Sequence, residues 1–409
     1  MSRGSLSRTQ VSHMEFYQYE NRLARPMMMK LPELQRNDRL KHMIFAQQFD
    51  KSLLKHLGNT ADMIRELSKS RAGSIFLTGL LPHKRAMLYF TQASTRTYLS
   101  FLAASQVLGL SSGEIRDPSL SSEFKGEHPL DSMRMFSSYF DIIFIRSKVP
   151  ALAESAAYLM NDLDHFNQRN VPIVNGGSGA DEHPTQALLD IYTIQRTFAF
   201  TSKKDSKTKT RFDELRKTHP KLTKGLDNKV YCFCGDIGRG RTVRSLAQLL
   251  ALFSNTTMIF VSPKHPKLAL PAELRRSLIG AGVKVEEADS LQEVCRDIDL
   301  LYMTRIQNEH DSPDDQKFFA SVDMSQYRLT TELVQQMRDY APIMHPFPRN
   351  EEIPFDIDSD PRAMYFREAR NGMWSRAALI AHLFDVDSKI AAHYQETYSS
   401  FHDYNLSVL

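Results

Sequence analysis

The sequence is poor in the features that mark several classes of protein. It has only three cysteines, Cys232, Cys234 and Cys295, and so small and odd a set excludes a disulfide framework. The Cys232-x-Cys234 spacing lies in an apolar run and is typical of alternating strand positions, not of a metal site. No apolar run approaches the length that crosses a bilayer. The net charge of +4 does not require a nucleic acid or a membrane as partner, and we expect neither, but it suits small anionic substrates.

The N-terminus has no acidic residue before Glu15 and is rich in serine and arginine. This composition is similar to that of an organelle transit peptide, whereas the lack of an apolar segment argues against a secretory signal. We therefore predict a disordered tail and a cytoplasmic location. The 409 residues, 42% of them hydrophobic, are enough for two α/β domains with their own cores.

The strongest candidate for a binding site is the turn Ser94-Thr95-Arg96-Thr97. The apolar run 86–90 before the turn predicts a buried strand, and the apolar residues of 98–102 after it predict a helix. A helix N-terminus offers unpaired backbone N–H groups and the positive end of the helix dipole, which together favour a phosphate. The alternative is an ordinary Ser/Thr-capped helix with a solvent-facing arginine.

Two further strands end in polar residues that could face the same ligand. The strand 141–146 ends in Arg146, and the strand 172–175 is followed by a glycine-rich turn, then by His183 and Gln186 at the start of a long helix. Ligands of open parallel sheets lie outside the carboxyl ends of the strands, which favours binding roles for these side chains. Arg146 could instead cap its strand at the surface, and His183 could be a structural hydrogen-bond donor.

A second α/β segment begins with the strand 229–234 and continues with strands at 258–261, 300–303 and 342–345. The glycines at 235, 238 and 240 follow the first of these strands and open a helix, so a nicotinamide-binding unit has to be considered. Their spacing is not G-x-G-x-x-G, and the next strand ends without an acidic residue for a ribose. Arg241 at the helix start is better matched to a carboxylate.

Five dispersed motifs identify a family resemblance. They are Ser94-Thr-Arg-Thr97, His183-Pro-Thr-Gln186, Gly240-Arg-Thr242, Met303-Thr-Arg-Ile-Gln307 and His345-Pro-Phe-Pro-Arg349. In this order the chain resembles the carbamoyltransferases from about residue 40 to 385, and more narrowly their aspartate-specific catalytic chains. The ornithine-specific members carry His-Cys-Leu-Pro and Ser-Met-Gly segments at two of these places, and this chain does not.

The resemblance implies an α/β fold of two domains, each a mainly parallel sheet flanked by helices, with a C-terminal helix that packs back on the first domain. The implied divisions are an N-terminal extension (1–40), a carbamoyl-phosphate-binding domain (41–195), a basic insertion or linker (196–226), an aspartate-binding domain (227–365) and C-terminal helices (366–409). The implied reaction is transfer of the carbamoyl group of carbamoyl phosphate to the amine of L-aspartate. We expect it to need no metal and no organic cofactor, because phosphate is already a good leaving group.

The resemblance also implies roles for individual residues. The contacts to carbamoyl phosphate would come from Ser94, Thr95, Arg96, Thr97, Arg146, His183, Gln186, Phe347, Pro348, Ser121 and Lys125. The contacts to aspartate would come from Arg241, Arg305, Gln307 and Lys125. Those with catalytic roles would be Arg96, Thr97, Arg146, His183 and Lys125. Ser121 and Lys125 match a loop that enters the neighbouring subunit's site in this family, which implies a homotrimer with shared active sites.

Several positions depart from the family pattern. Gln92 replaces an acid, His310 replaces an arginine, Phe347 replaces a smaller aliphatic residue and Arg370 replaces a glycine. These changes, together with the basic segment 201–224, leave two alternatives open. One is a non-catalytic carbamoyltransferase-like scaffold whose basic segment binds a partner, although no aromatic interleaving supports a nucleic-acid partner. The other is a carbamoyltransferase for a different amino-acid acceptor. Attachment of a regulatory chain is also left open.

Overall fold

The computed structural model describes residues 17–117, 126–165, 169–178, 182–200, 211–306, 318 and 322–398. Their α-helices are α1 (Tyr17–Leu23), α2 (Met27–Lys30), α3 (Lys51–Leu67), α4 (Arg71–Thr78), α5 (Thr95–Val107), α6 (Pro129–Tyr139), α7 (Leu152–His165), α8 (Pro184–Ala199), α9 (Arg211–Thr218), α10 (Arg241–Leu250), α11 (Ala272–Gly280), α12 (Leu291–Val294), α13 (Thr331–Gln336), α14 (Tyr365–Leu383) and α15 (Asp387–Tyr398). Within the described ranges, no helix is long and apolar enough to cross a membrane.

The strands are β1 (Gln35–Arg36), β2 (Arg39–Leu40), β3 (Arg85–Phe90), β4 (Ser111–Ile115), β5 (Ile142–Arg146), β6 (Ile173–Asn175), β7 (Val230–Cys234), β8 (Thr257–Val261), β9 (Lys284–Ala288), β10 (Leu300–Met303) and β11 (Ile343–Met344). The chain forms two compact units. The first unit comprises 1–48, 63–185 and 376–392, and the second comprises 49–62, 186–375 and 393–409. Two helix-flanked parallel α/β units are the architecture that the sequence predicts.

The first unit contains a four-stranded parallel sheet in the order β4-β3-β5-β6. Its central strands β3 and β5 are apolar and buried, as expected for parallel strands that are covered on both faces. Phe90 at the end of β3 is in register with Arg146 at the end of β5. The carboxyl ends of these strands therefore lie side by side, and β3 leads into α5 from that edge.

The N-terminal extension is packed against this unit in its described part. Tyr19 and Leu34 belong to the buried core, and the Arg22 Nη1 donates to Asp162 of α7 at 3.0 Å. Lys30 forms an ion pair with Glu154 of α7 at 2.8 Å. Segment 376–392 also belongs to the first unit, where Arg376 Nη1 donates to the Ser100 hydroxyl at 2.7 Å.

The second unit contains a five-stranded parallel sheet in the order β11-β10-β7-β8-β9. Met303 at the end of β10 is in register with Cys234 at the end of β7. The segments 235–241 and 304–306 therefore leave the sheet at one edge.

The basic segment is helical in its second half, where α9 buries Leu215 and packs Phe212 on Phe200 at 5.2 Å between ring centroids. The described half of this insertion or linker therefore contains a helix that packs through Phe212 and Leu215, because these two residues lie on one helical face.

Candidate active site

The turn 94–97 forms the N-terminus of α5 in the first unit. Ser94 occupies the N-cap position, but its side chain accepts no capping hydrogen bond from the helix. The first-turn N–H groups of α5 are thus not satisfied by the cap side chain that the ordinary reading of this motif requires. Thr97 is buried, whereas Arg96 is exposed. Partial desolvation lowers the pKa of the Arg96 guanidinium, yet an arginine stays protonated at neutral pH.

Arg146 and His183 meet on the glycine-rich turn after β6. Gly177 has φ +92°, and a Cβ there would lie 2.6 Å from His183 Cδ2 and 2.8 Å from Arg146 Nη1. Both side chains are more than nine-tenths buried. Arg146 Nη1 donates to the Gly176 carbonyl at 3.0 Å, and the Arg146 carbonyl accepts from the Gln92 N–H at 3.1 Å. The guanidinium and the imidazole are therefore brought together at the strand edge that leads into α5.

Asn175 shapes this turn. Its Oδ1 accepts from the N–H groups of Gly177 and Ser178 at 2.9 and 3.1 Å, and its Nδ2 donates to the carbonyls of Ile44 and Glu182 at 3.2 and 3.1 Å. Two of these hydrogen bonds fix the backbone of the turn, one holds Glu182, the residue before His183, and one joins the turn to Ile44. The side chain of Asn175 is buried, and both its oxygen and its nitrogen are hydrogen-bonded. This amide therefore stabilises the conformation of the turn.

We expect Gly177→Ala to lower the free energy of unfolding more than an alanine at another glycine that has a left-handed backbone but no close neighbours. The matched control is Gly225→Ala, because Gly225 has φ +77° and nothing within 4 Å of its added Cβ. The left-handed backbone costs each variant about 1–2 kcal/mol. Overpacking against His183 and Arg146 costs Gly177→Ala about 1–3 kcal/mol more. The free energy of unfolding in urea measures both; equal losses would contradict the convergence of Arg146 and His183.

The second unit has a cavity of about 1050 Å³ at the carboxyl edge of its sheet. It is lined by Gly235 after β7, by residues 304–306 after β10, by segment 349–355 after β11, and by Met324, Tyr327 and Arg328. Gly235, at φ +114°, lets these segments approach, because a Cβ there would lie 2.1 Å from the Thr304 carbonyl oxygen. Three arginines (Arg305, Arg328 and Arg349) and two glutamates (Glu351 and Glu352) line it, so the lining has one net positive charge, and we call it the cationic cavity.

Two of these arginines are oriented by carboxylates of the chain. Arg349 Nη2 donates to Asp358 at 2.6 Å, and its guanidinium lies 4.7 Å from the centroid of the Phe355 ring. Arg328 pairs with Glu351. The hydrogen bond from Arg349 holds the pKa of Asp358 below its ordinary value. The sequence places Arg349 in a motif but does not indicate a site role for it, because nothing in the sequence shows that segment 349–355 approaches the end of β10.

The turn after β11 is organised by His345. Its Nδ1 accepts from the Phe347 N–H at 2.8 Å, so its Nε2 carries the proton and donates to Glu352 at 2.9 Å. Burial alone would raise the pKa of Glu352, but hydrogen bonds from His345 and Asn350 outweigh burial and lower it. Phe347 has φ +56° and is joined to Pro348 by a cis peptide bond. The His345–Pro348 motif therefore forms a turn with a left-handed residue followed by a cis peptide bond.

The remaining predicted residues are placed as follows. Arg241 is the first residue of α10 and is not among the residues that line the cavity. Gln186 lies in the first turn of α8, where its Nε2 donates to Asp190 at 2.9 Å. Ser121, Lys125, Gln307 and His310 lie outside the described residues. Sequence reasoning missed Asp190, although its position four residues after Gln186 on a helix was a usable signal.

Comparison with known proteins finds two successive domains of one family in this chain. Residues 41–196 match the family model described as aspartate/ornithine carbamoyltransferase, carbamoyl-P binding domain, and residues 227–383 match that of the Asp/Orn binding domain. The chloroplastic aspartate carbamoyltransferase of Arabidopsis thaliana is 36% identical over 350 residues, which are 83% of this chain and 77% of that protein.

Two solved structures are similar in fold and sequence. The catalytic subunit of M. jannaschii aspartate transcarbamoylase has a TM-score of 0.69 at 32% identity, with 85% of this chain and 98% of that chain covered. Aspartate transcarbamoylase from Trypanosoma cruzi, solved in complex with N-(phosphonacetyl)-L-aspartic acid, has a TM-score of 0.68 at 29% identity, with 87% and 99% covered.

Proposed function

The chain belongs to the aspartate/ornithine carbamoyltransferase family, and on this premise we propose that it is an aspartate carbamoyltransferase. It transfers the carbamoyl group of carbamoyl phosphate to the amine of L-aspartate, a reaction of pyrimidine synthesis. The amine nitrogen forms a bond to the carbamoyl carbon, the bond from that carbon to the phosphate oxygen breaks, and phosphate leaves with the electron pair. The products are N-carbamoyl-L-aspartate, phosphate and the proton that the amine gives up.

The observation that carries the proposal is the convergence of Arg146 and His183 on Gly177. A guanidinium and an imidazole at one strand edge can donate to the phosphate and to the carbonyl oxygen, where negative charge develops in the tetrahedral transition state. We assign the phosphate to the N-terminus of α5 with Arg96 and Thr97, and the carbamoyl oxygen to His183. Fixed donors of this kind need no reorganisation at the moment of reaction.

We assign the two carboxylates of aspartate to arginines of the second unit. Arg305 lines the cationic cavity, and Arg241 lies at the start of a helix that follows the neighbouring strand. Guanidinium groups match carboxylates because their planar fork donates two parallel hydrogen bonds. Gln307 is assigned to aspartate beside these arginines. The amide oxygen of Gln186 and the backbone carbonyl of Pro348 are assigned as acceptors for the NH2 of the carbamoyl group.

The packing of Phe347 removes one reason to expect an acceptor larger than aspartate. Phe347 replaces a smaller aliphatic residue of the family pattern, and its ring packs on those of His345, Tyr365 and Phe366 with centroids 5.8, 5.8 and 5.5 Å apart. Its bulk is therefore engaged with aromatic neighbours in the second unit.

The test of function is turnover: at saturating carbamoyl phosphate and L-aspartate, the purified protein is expected to form carbamoyl-aspartate and phosphate in equal amounts. Absence of product would favour the scaffold alternative.

We further propose a homotrimer in which Ser121 and Lys125 of one subunit act in the site of the next. Arg96→Ala and Lys125→Ala proteins are each expected to be inactive alone. Mixed after dissociation and reassembly, they should regain about one quarter of wild-type activity, since that share of sites combines an intact Arg96 with an intact Lys125. No recovery on mixing would show that each site is built from one chain.

Two broader expectations also stay proposals. We expect turnover without any added metal or organic cofactor, which dialysis against a chelator followed by the same assay tests. We expect a cytoplasmic location, which a fluorescent fusion to the full chain tests.

A further inference from the structure

Two buried carboxyl groups lie beneath the site segments of the second unit. Asp190 on α8 is 0% exposed and Glu368 on α14 is 1% exposed. Asp190 accepts from Gln186 Nε2 and from the Tyr302 hydroxyl, both at 2.9 Å. Glu368 Oε2 accepts from the His345 backbone N–H at 2.8 Å. The pair thus connects the first turn of α8, the end of β10 and the turn after β11, which are three of the segments that carry predicted substrate contacts.

The two carboxyl groups also contact each other. Glu368 Oε1 is buried and, within the described ranges, receives no N–H or O–H donor, while its side chain forms a direct interaction with Asp190. Two ionised carboxylates cannot share such a site, because their repulsion is not screened there. Asp190 acts on both Glu368 and the Tyr302 hydroxyl, and Glu368 also acts on Tyr302; the backbone N–H of His345 is the other group that acts on Glu368.

The donors decide which carboxyl group is ionised. Asp190 offers its oxygens to two donors, an amide and a phenol, and this favours the anion. Glu368 accepts a single backbone N–H and has one oxygen left for a proton. Desolvation, followed by the negative charge of Asp190, raises the pKa of Glu368 well above its ordinary value.

We propose that Asp190 and Glu368 share one proton, carried by Glu368 and donated to Asp190, and that this pair is a positioning device for the substrate-binding segments. Asp190 orients the Gln186 amide, and Glu368 fixes the turn that begins at His345. Neither residue touches substrate. The positioning half of the proposal rests on the proposed function, whereas the shared proton does not.

Glu368→Gln tests the proton. Glutamine reproduces a protonated Glu368: its amide donates to Asp190, its carbonyl accepts from the His345 N–H, and it has no proton to lose. The folded-state pKa of Glu368 lies above its unfolded value, so wild-type stability attributable to this group falls as pH rises above the unfolded pKa. The Tm of Glu368→Gln should therefore exceed that of wild type by a margin that grows from pH 5 to pH 9. A constant margin, or a lower Tm for the variant, would overturn the shared proton.

Asp190→Asn tests the direction of the hydrogen bond. The asparagine amide would face a donor, so either Gln186 or Tyr302 loses its acceptor. We expect a lower Tm at every pH, and kcat/KM lower by about tenfold, the usual effect of one lost hydrogen bond. If Asp190→Asn were tolerated and Glu368→Gln were disruptive, the proton would belong to Asp190 and the proposal would be wrong.

Further variants separate positioning from stability. Glu368→Ala should lower kcat/KM, and Glu368→Gln should restore it; loss in both variants would overturn the positioning role. Should Asp190→Asn fail to fold, Tyr302→Phe removes one donor from Asp190 and is expected to lower kcat/KM while the pH-dependent part of its Tm persists. If wild type has no turnover, the proposed function fails, while the Tm measurements still decide the proton.

Discussion

Arg96→Ala is expected to lower kcat for carbamoyl-aspartate formation by about a thousandfold, at the upper end of what loss of one preorganised donor costs. Arg96 lies in the first turn of α5, where its charge adds to the helix dipole and to the backbone N–H groups that the Ser94 side chain leaves uncapped. Its carbamoyl-phosphate partner gains negative charge as the phosphate departs. An interaction that strengthens in the transition state affects kcat more than KM.

The matched control is Arg71→Ala. Arg71 is also an exposed arginine in the first turn of a helix of the first unit, α4, but its helix is capped by the Ser70 side chain, which accepts from Gly73 N–H. We expect Arg71→Ala to keep wild-type kinetics. Steady-state assays with carbamoyl phosphate varied would separate the two variants, and a loss below tenfold in Arg96→Ala would contradict the assignment of phosphate to this turn.

Arg305→Ala is expected to lower kcat/KM for aspartate by about a hundredfold, as for loss of a charge-assisted, two-pronged hydrogen bond worth about 2–3 kcal/mol. Arg305 lies two residues after the end of β10 and lines the cationic cavity. The side chain is expected to hold one carboxylate of aspartate and to leave carbamoyl phosphate untouched. The KM for carbamoyl phosphate should therefore stay near its wild-type value.

Arg276→Ala provides the control, because Arg276 is an exposed arginine of α11 in the same unit and lines no part of this cavity. Steady-state kinetics with each substrate varied in turn measure the effect on aspartate separately from the effect on carbamoyl phosphate. Equal losses for both substrates in Arg305→Ala, or a similar loss in Arg276→Ala, would refute the specific assignment to aspartate.

The sequence predicts the strands and turns at which the site is built, because these are strongly patterned. The apolar runs of β3, β5, β7, β8 and β10 are buried on both faces and stand out from their polar flanks. The edge strands β4 and β9 were missed, since their residues are half-exposed and largely polar or charged. Backbone hydrogen bonds to a neighbouring strand stabilise both edge strands, and a search for hydrophobic patterns does not detect such pairing.

Site residues were predictable where a motif is local and not where partners are distant in sequence. The turn 94–97 and Arg146 follow directly from strand ends. Pairing of Asp190 with Glu368 joins residues on α8 and α14, and neither residue type predicts a buried neighbour. The crowding of His183 and Arg146 on Gly177 likewise depends on the left-handed turn that Asn175 stabilises.

The most direct test of the whole account is calorimetric binding of N-(phosphonacetyl)-L-aspartic acid, a single molecule that carries the phosphonate and both carboxylates. If the protein holds carbamoyl phosphate and aspartate in reacting contact, this compound should bind far more tightly than phosphate or aspartate alone, and Arg96→Ala and Arg305→Ala should each weaken it. Binding no tighter than that of phosphate, unaffected by Arg305→Ala, would contradict the account.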